Sequence, residues 1–407
     1  MQPRTIAVVI LLASLFVAGG VAFVLATGTG ADHPLTTGWE SEERTAIGGH
    51  HHGPAVAAGS DEPLVVAPFT GEAGSDDCRL VAMDGDDGET LWSHDVAPAD
   101  CSHHGVSYVA VDDATGDGDD EVLAVTGDGV LRVWALDGTE LWTADVGGHV
   151  MPAPRVADLD GEGPQVLVAT GMGELHAFES DGSHRYTTTF DGNVHAELQA
   201  VDAEGDGTDE VVVGSFGGDE PGTLTLFDGD GEALAERSLE GSLWWLDATD
   251  HDGETYVAAG ATDGTIAVLD ERLEERWTDR PATYAAVSFH EHDGELTLYA
   301  GSRDGVLRTY DATDGEPGWE TTVTGASVQM MPPAAVGDVT GDGEPEVIAV
   351  AQDGTVAALD ADGEGLGAFT ADSSLYLPAT LADTTGDGVD EVVVQYGDGR
   401  VVLYEAR

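Results

Sequence analysis

Lysine is absent from this 407-residue chain, so arginine supplies all 14 of its basic side chains. They face 78 aspartates and glutamates, and the formal net charge is −64. A surface this acidic repels phosphate and anionic headgroups, which excludes nucleic acid as a partner and rules out docking on lipid through basic patches. The same repulsion strains a compact state in dilute buffer, whereas about 1 M salt shortens the Debye length to roughly 3 Å and screens most of it. The composition is that of a halophilic protein. Also missing are G-x-S-x-G, H-E-x-x-H and phosphate-loop motifs, and no two cysteines are adjacent. Paired carboxylates are too abundant for their proximity to indicate catalysis.

Long apolar runs are missing too, with one exception. Residues 5–27 carry no charge over 23 positions, about the length that spans a bilayer as a helix. Arg4 precedes the run, and Asp32, Glu40, Glu42 and Glu43 follow it, an asymmetry that places the N-terminus inside and the remainder outside the cell. The run is read as a single-pass anchor, with a cleaved signal ending near Val24-Leu25-Ala26 as the alternative. Residues 1–30 are thus the anchor or signal segment, and 31–407 the folded domain. Outside the cell, Cys78 and Cys101, 23 residues apart around a predicted hairpin, can form a disulfide; the alternative is two separate buried thiols.

What the sequence does contain is one unit repeated. DATGDGDDEVLAV from Asp113, DAEGDGTDEVVVG from Asp202, DVTGDGEPEVIAV from Asp338 and DTTGDGVDEVVVQ from Asp383 are close copies, and DLDGEGPQVLVA from Asp158 is a degenerate fifth. Each acidic turn leads into an apolar run, a Gly-Asp turn, an alternating run and a further short segment. Period-2 alternation between Gly/Asp turns predicts antiparallel strands, and the unit is a four-stranded meander. Third strands starting near Cys78, Val130, Glu174, Thr223, Thr265, Val306, Thr355 and Arg400 give eight units. Only seven fourth strands follow their own unit, centred on Trp92, Trp142, Tyr186, Ala235, Trp277, Trp319 and Phe369. The segment around Trp39 matches the missing one. An all-β, eight-bladed β-propeller closed by an N-terminal strand is therefore expected, because circular closure removes exposed sheet edges.

The third-to-fourth strand segments resemble the tryptophan-docking repeat of quinoprotein (PQQ-like repeat) propellers, A-x-D-x-x-x-G-x-x-x-W. Ala82, Asp84, Gly88 and Trp92 match in full, and Asp311, Gly315 and Trp319 in part. The acidic first hairpins look like the calcium loops of FG-GAP or VCBS propeller repeats. Together the resemblances cover about residues 36–407 and, with the acidic surface, imply a protein of a halophilic archaeon. Quinoprotein alcohol dehydrogenases use adjacent cysteines that this chain lacks, so neither PQQ nor that activity is expected.

Alternate oxygen ligands, a glycine-bent backbone and a terminal glutamate suit a hard cation. The expected Ca²⁺ sets are Asp113, Thr115, Asp117 and Glu121; Asp202, Glu204, Asp206 and Glu210; Asp338, Thr340, Asp342 and Glu346; and Asp383, Thr385, Asp387 and Glu391. An ion-free acidic turn is the alternative.

Approaching the first strands, which should line the channel, the chain carries His50, His51 and His52, then His103 and His104, His149 and Met151, His195, and Met330 and Met331. Imidazole and thioether ligands converging on an axis would suit copper, zinc or haem; otherwise they are polar and soft side chains packing a channel mouth. The expected function is a membrane-tethered extracellular scaffold presenting a face to a protein or glycan. A metal- or haem-dependent propeller is the alternative, and a factor assisting assembly of exported proteins, by analogy with bacterial assembly lipoproteins, is the third.

Overall fold

The alternating runs become eight four-stranded antiparallel blades in the computed structural model, which describes residues 23–24, 35–45, 50–59, 63–194, 198–216 and 221–406. Blade 1 comprises Ala55–Ala57, Leu64–Phe69, Arg79–Asp84 and Thr90–Asp95. Blades 2 to 7 span residues 110–145, 155–189, 199–239, 243–279, 285–322 and 335–370. Blade 8 takes Thr380–Ala382, Glu391–Gln395 and Val401–Ala406 from the end of the chain and Leu35–Glu40 from its beginning. Trp39 stands opposite Leu403 and Thr37 opposite Tyr404, so the expected closure is the one observed. The first strand of blade 8 touches that of blade 1, which completes the inner ring.

In blades 1 and 2 the second strand is buried along its whole length, whereas the fourth strand carries only exposed and half-buried residues. Apolar side chains meet between neighbouring blades: Trp39, Val65, Phe69, Met83, Val393 and Leu403 form one such layer across the blade 8–blade 1 seam. Removing that area from water at roughly 25 cal/mol per Å² is the main term holding the blades together.

The fourth-strand aromatics fasten each blade to the next. Trp39, Trp92, Trp277 and Trp319 donate their indole N–H to the carbonyls of Gly85, Leu136, Ala312 and Ala361 in the following blade, at 2.8 to 2.9 Å. Each ring also covers a turn glycine there. A Cβ on Gly88 would lie 2.6 Å from the Trp39 ring, and its φ of +72° disfavours other residues. All eight outermost strands carry a register shift close to the docking position, an irregularity that re-aims the aromatic out of the pleat toward its neighbour.

Trp142 and Tyr186 cover Gly182 and Gly231 in the same way but without a hydrogen bond, and two further interfaces lack an aromatic at this position. Blade 4 offers Ala235, and blade 5 answers with Leu273, buried at φ +56° where the other turns have glycine; both belong to one apolar cluster. Blade 7 has Gly367 at this position, and Phe369, two residues further on, lies with its ring 5.0 Å from that of Tyr404. No third-to-fourth turn exists in blade 8 to receive it, because that blade changes chain ends at this point.

The expected transmembrane helix lies almost wholly outside the described residues. Two of its positions, Phe23–Val24, form a short strand parallel to Thr321–Thr322, not helix. Among the described residues no helix is long and apolar enough to cross a membrane.

Candidate functional site

Three consecutive blade approaches bring their histidines together. His50 to His52 lead into blade 1, His104 into blade 2 and His149 into blade 3. The ring centres of His51 and His52 are 4.9 Å apart, those of His51 and His104 5.1 Å, and those of His104 and His149 4.8 Å. His52 Nε2 and His104 Nδ1 approach to 3.0 Å. Tyr108, which belongs to no motif in the chain, sets its ring edge-on against His52 at 5.4 Å. His51, His52 and His104 each place a ligand atom within 4.8 Å of the other two, and among the described residues no other three His, Cys, Asp or Glu side chains do so.

The electrostatics of this corner favour neutral imidazole. Burial, followed by the neighbouring His51, pushes His50 down to about 3. His52, wholly buried, is held well below the usual histidine range by desolvation and then by His50, His51, His104 and His149. Both ring nitrogens of His50 and Nδ1 of His52 are buried without a hydrogen-bond partner.

Other members of the expected His/Met set lie apart. Met331 is fully buried in the apolar layer between blades 6 and 7, and Met330 packs on the layer between blades 5 and 6. Their thioethers fill the core because the strand approach turns them between blades. His103 is exposed, Met151 is buried, and His195 is outside the described residues. Cys78 and Cys101 form a disulfide with Cα atoms 5.4 Å apart. That bond ties the loop carrying His103 and His104 back to blade 1.

The four acidic hairpins share one internal architecture. The first aspartate accepts loop N–H groups: Asp113 from Gly116, Asp117 and Gly118; Asp202 from Asp206 and Gly207; Asp338 from Gly341 and Gly343; Asp383 from Gly386, Asp387 and Gly388. The closing glutamate is buried beneath each loop and accepts from its near side, Glu121 from Thr115, Glu210 from Glu204, Glu346 from Val339 and Thr340, and Glu391 from Thr384. Asp117, Asp206, Asp342 and Asp387 each cap the N–H two residues on. Thr340 and Thr385 turn their hydroxyls to the closing glutamate, at 3.2 and 3.5 Å. Thr115 differs: its hydroxyl is buried and unpartnered.

Burial raises the carboxyls of Glu121, Glu346 and Glu391 above their ordinary range, and that of Glu210 to about 7. In the degenerate loop of blade 3, Gln165 occupies the same buried position and its Oε1 accepts from Leu159 N–H at 2.7 Å. The position thus works as an acceptor even without charge.

Residues 76–160 and 262–407 match the family model described as outer membrane protein assembly factor BamB, more than half of the chain. The chain belongs to this family. No curated protein matches the sequence. Among solved structures, BamB from Moraxella catarrhalis superimposes with a TM-score of 0.61 at 16% identity, covering 92% of this chain and 98% of that one. The biofilm matrix protein Bap1 of V. cholerae gives 0.66 at 13%, covering 92% and 91%. A quinohemoprotein alcohol dehydrogenase from Pseudomonas putida HK5 gives 0.61 at 14%, covering 92% and 76%. At these identities the likenesses establish the fold, while the BamB family model carries the relationship.

Proposed function

We propose that this BamB-family propeller is a non-catalytic scaffold held at the outer face of the cell membrane, where it binds protein partners during assembly of exported proteins. The observation that carries the reading is the family match, which spans blades on both sides of the seam and bears the description of an assembly factor. In this reading residues 5–27 are the tether, and the acidic surface is an adaptation to a salt-rich exterior. Deleting the gene should selectively lower the amount of folded exported proteins at the surface, and the full chain should restore them. An unchanged surface proteome would sink the scaffold reading.

The acidic hairpins of blades 2, 4, 7 and 8 hold Ca²⁺ in this proposal. Support comes from the closing glutamates, whose burial beside other carboxylates a cation would offset, and from the unpartnered Thr115 hydroxyl. Calorimetry in molar KCl should show Ca²⁺ binding that falls in Asp342→Asn and Asp387→Asn; no heat of binding to the wild type would end this part of the proposal.

A further inference from the structure

The strongest unassigned constellation is the histidine corner between blades 1 and 2. Two nitrogens bound to one tetrahedral ion at about 2.05 Å stand roughly 3.3 Å apart. His52 Nε2 and His104 Nδ1 are already at 3.0 Å, and one ring nitrogen from each of His51, His52 and His104 lies within 4.8 Å of the other two. Small side-chain adjustments therefore bring three imidazoles onto one centre. A histidine–histidine hydrogen bond is the simpler use of that contact, but it does not account for the third imidazole, His51, whose ring centre stands 4.9 Å from that of His52 and 5.1 Å from that of His104.

We propose that His51, His52 and His104 bind one divalent transition-metal ion of the copper, zinc or nickel class. Three imidazoles without a carboxylate suit those borderline ions and not Ca²⁺, which takes oxygen ligands. Of the three, His104 lines a cleft of about 550 Å³, together with Ser102, Asp128, Gly148 and His149. His149 stands within reach of a fourth position, its ring 4.8 Å from His104. The Cys78–Cys101 disulfide holds the His104 loop against the blade that supplies His51 and His52. This inference does not depend on the scaffold reading.

The test uses the full chain purified without a histidine tag, in molar KCl with excess CaCl₂ to saturate the acidic loops. Cu²⁺ should bind at one equivalent with nitrogen hyperfine coupling in its electron paramagnetic resonance spectrum, and it should displace Zn²⁺ bound beforehand. His52 is buried, so the informative variants are H51N and H104N, each checked for native circular dichroism. Each should weaken Cu²⁺ binding by about 100-fold, the scale on which metal sites respond to changes in their surroundings. Absence of a nitrogen-coupled equivalent in the wild type, or unchanged affinity in both variants, would overturn the proposal.

Discussion

Leu273 shows how a single residue can compensate for another in the neighbouring blade. With Ala235 in place of an indole, the receiving turn fills the vacated space with leucine at a backbone conformation that disfavours it. Leu273→Gly should relieve the backbone but open a cavity, destabilising by about 1–3 kcal/mol. Ala235→Trp alone should clash with Leu273. The double variant recreates the docking pair used elsewhere, so its denaturation midpoint should exceed the sum of the single effects; simple additivity would refute the compensation. Asp247 offers a pH-dependent case. Its carboxylate accepts from Phe289 N–H of the next blade at 2.7 Å, and burial raises it to about 6. The native state therefore holds this proton more tightly than the unfolded chain, and the associated stability, full below about pH 4, is lost as pH rises through 6. The stability of wild type relative to Asp247→Asn should fall over that interval in urea titrations.

At the level of the strand, the outermost ribbons decide the architecture. Removing the Cys78–Cys101 bond by a double serine substitution should cost about 3 kcal/mol, from the loop it closes, and release the His104 loop. Thermal scans and the nitrogen coupling of bound Cu²⁺ would report the two effects separately. Strand count and closure could be read in the sequence because alternation, Gly/Asp turns and the Trp39 motif are local patterns. Other features could not. The register shifts beside the docking aromatics depend on pairing between strands, and the role of Gln165 emerges only where its amide meets Leu159. Five histidines converge while Met330 and Met331 do not, because inter-blade packing decides which way each approach segment turns its side chains.

For the whole molecule, charge and ring closure dominate. With −64 formal charges, unfolding midpoints should rise steeply between millimolar and molar KCl; a flat salt response would contradict the screening argument. Trp39→Ala removes a largely buried ring and its bond to Gly85, and should cost about 3–5 kcal/mol at the seam. The pairing of Leu35–Glu40 with Val401–Ala406 also constrains how the molecule comes into being. A ribosome delivers those partners some 360 positions apart, so the earliest ribbon must wait, hydrogen-bonding groups unmatched, until nearly all the polypeptide has been made. During that interval an open crescent presents two adhesive rims, and only the arrival of the final ribbon turns it into a closed circle.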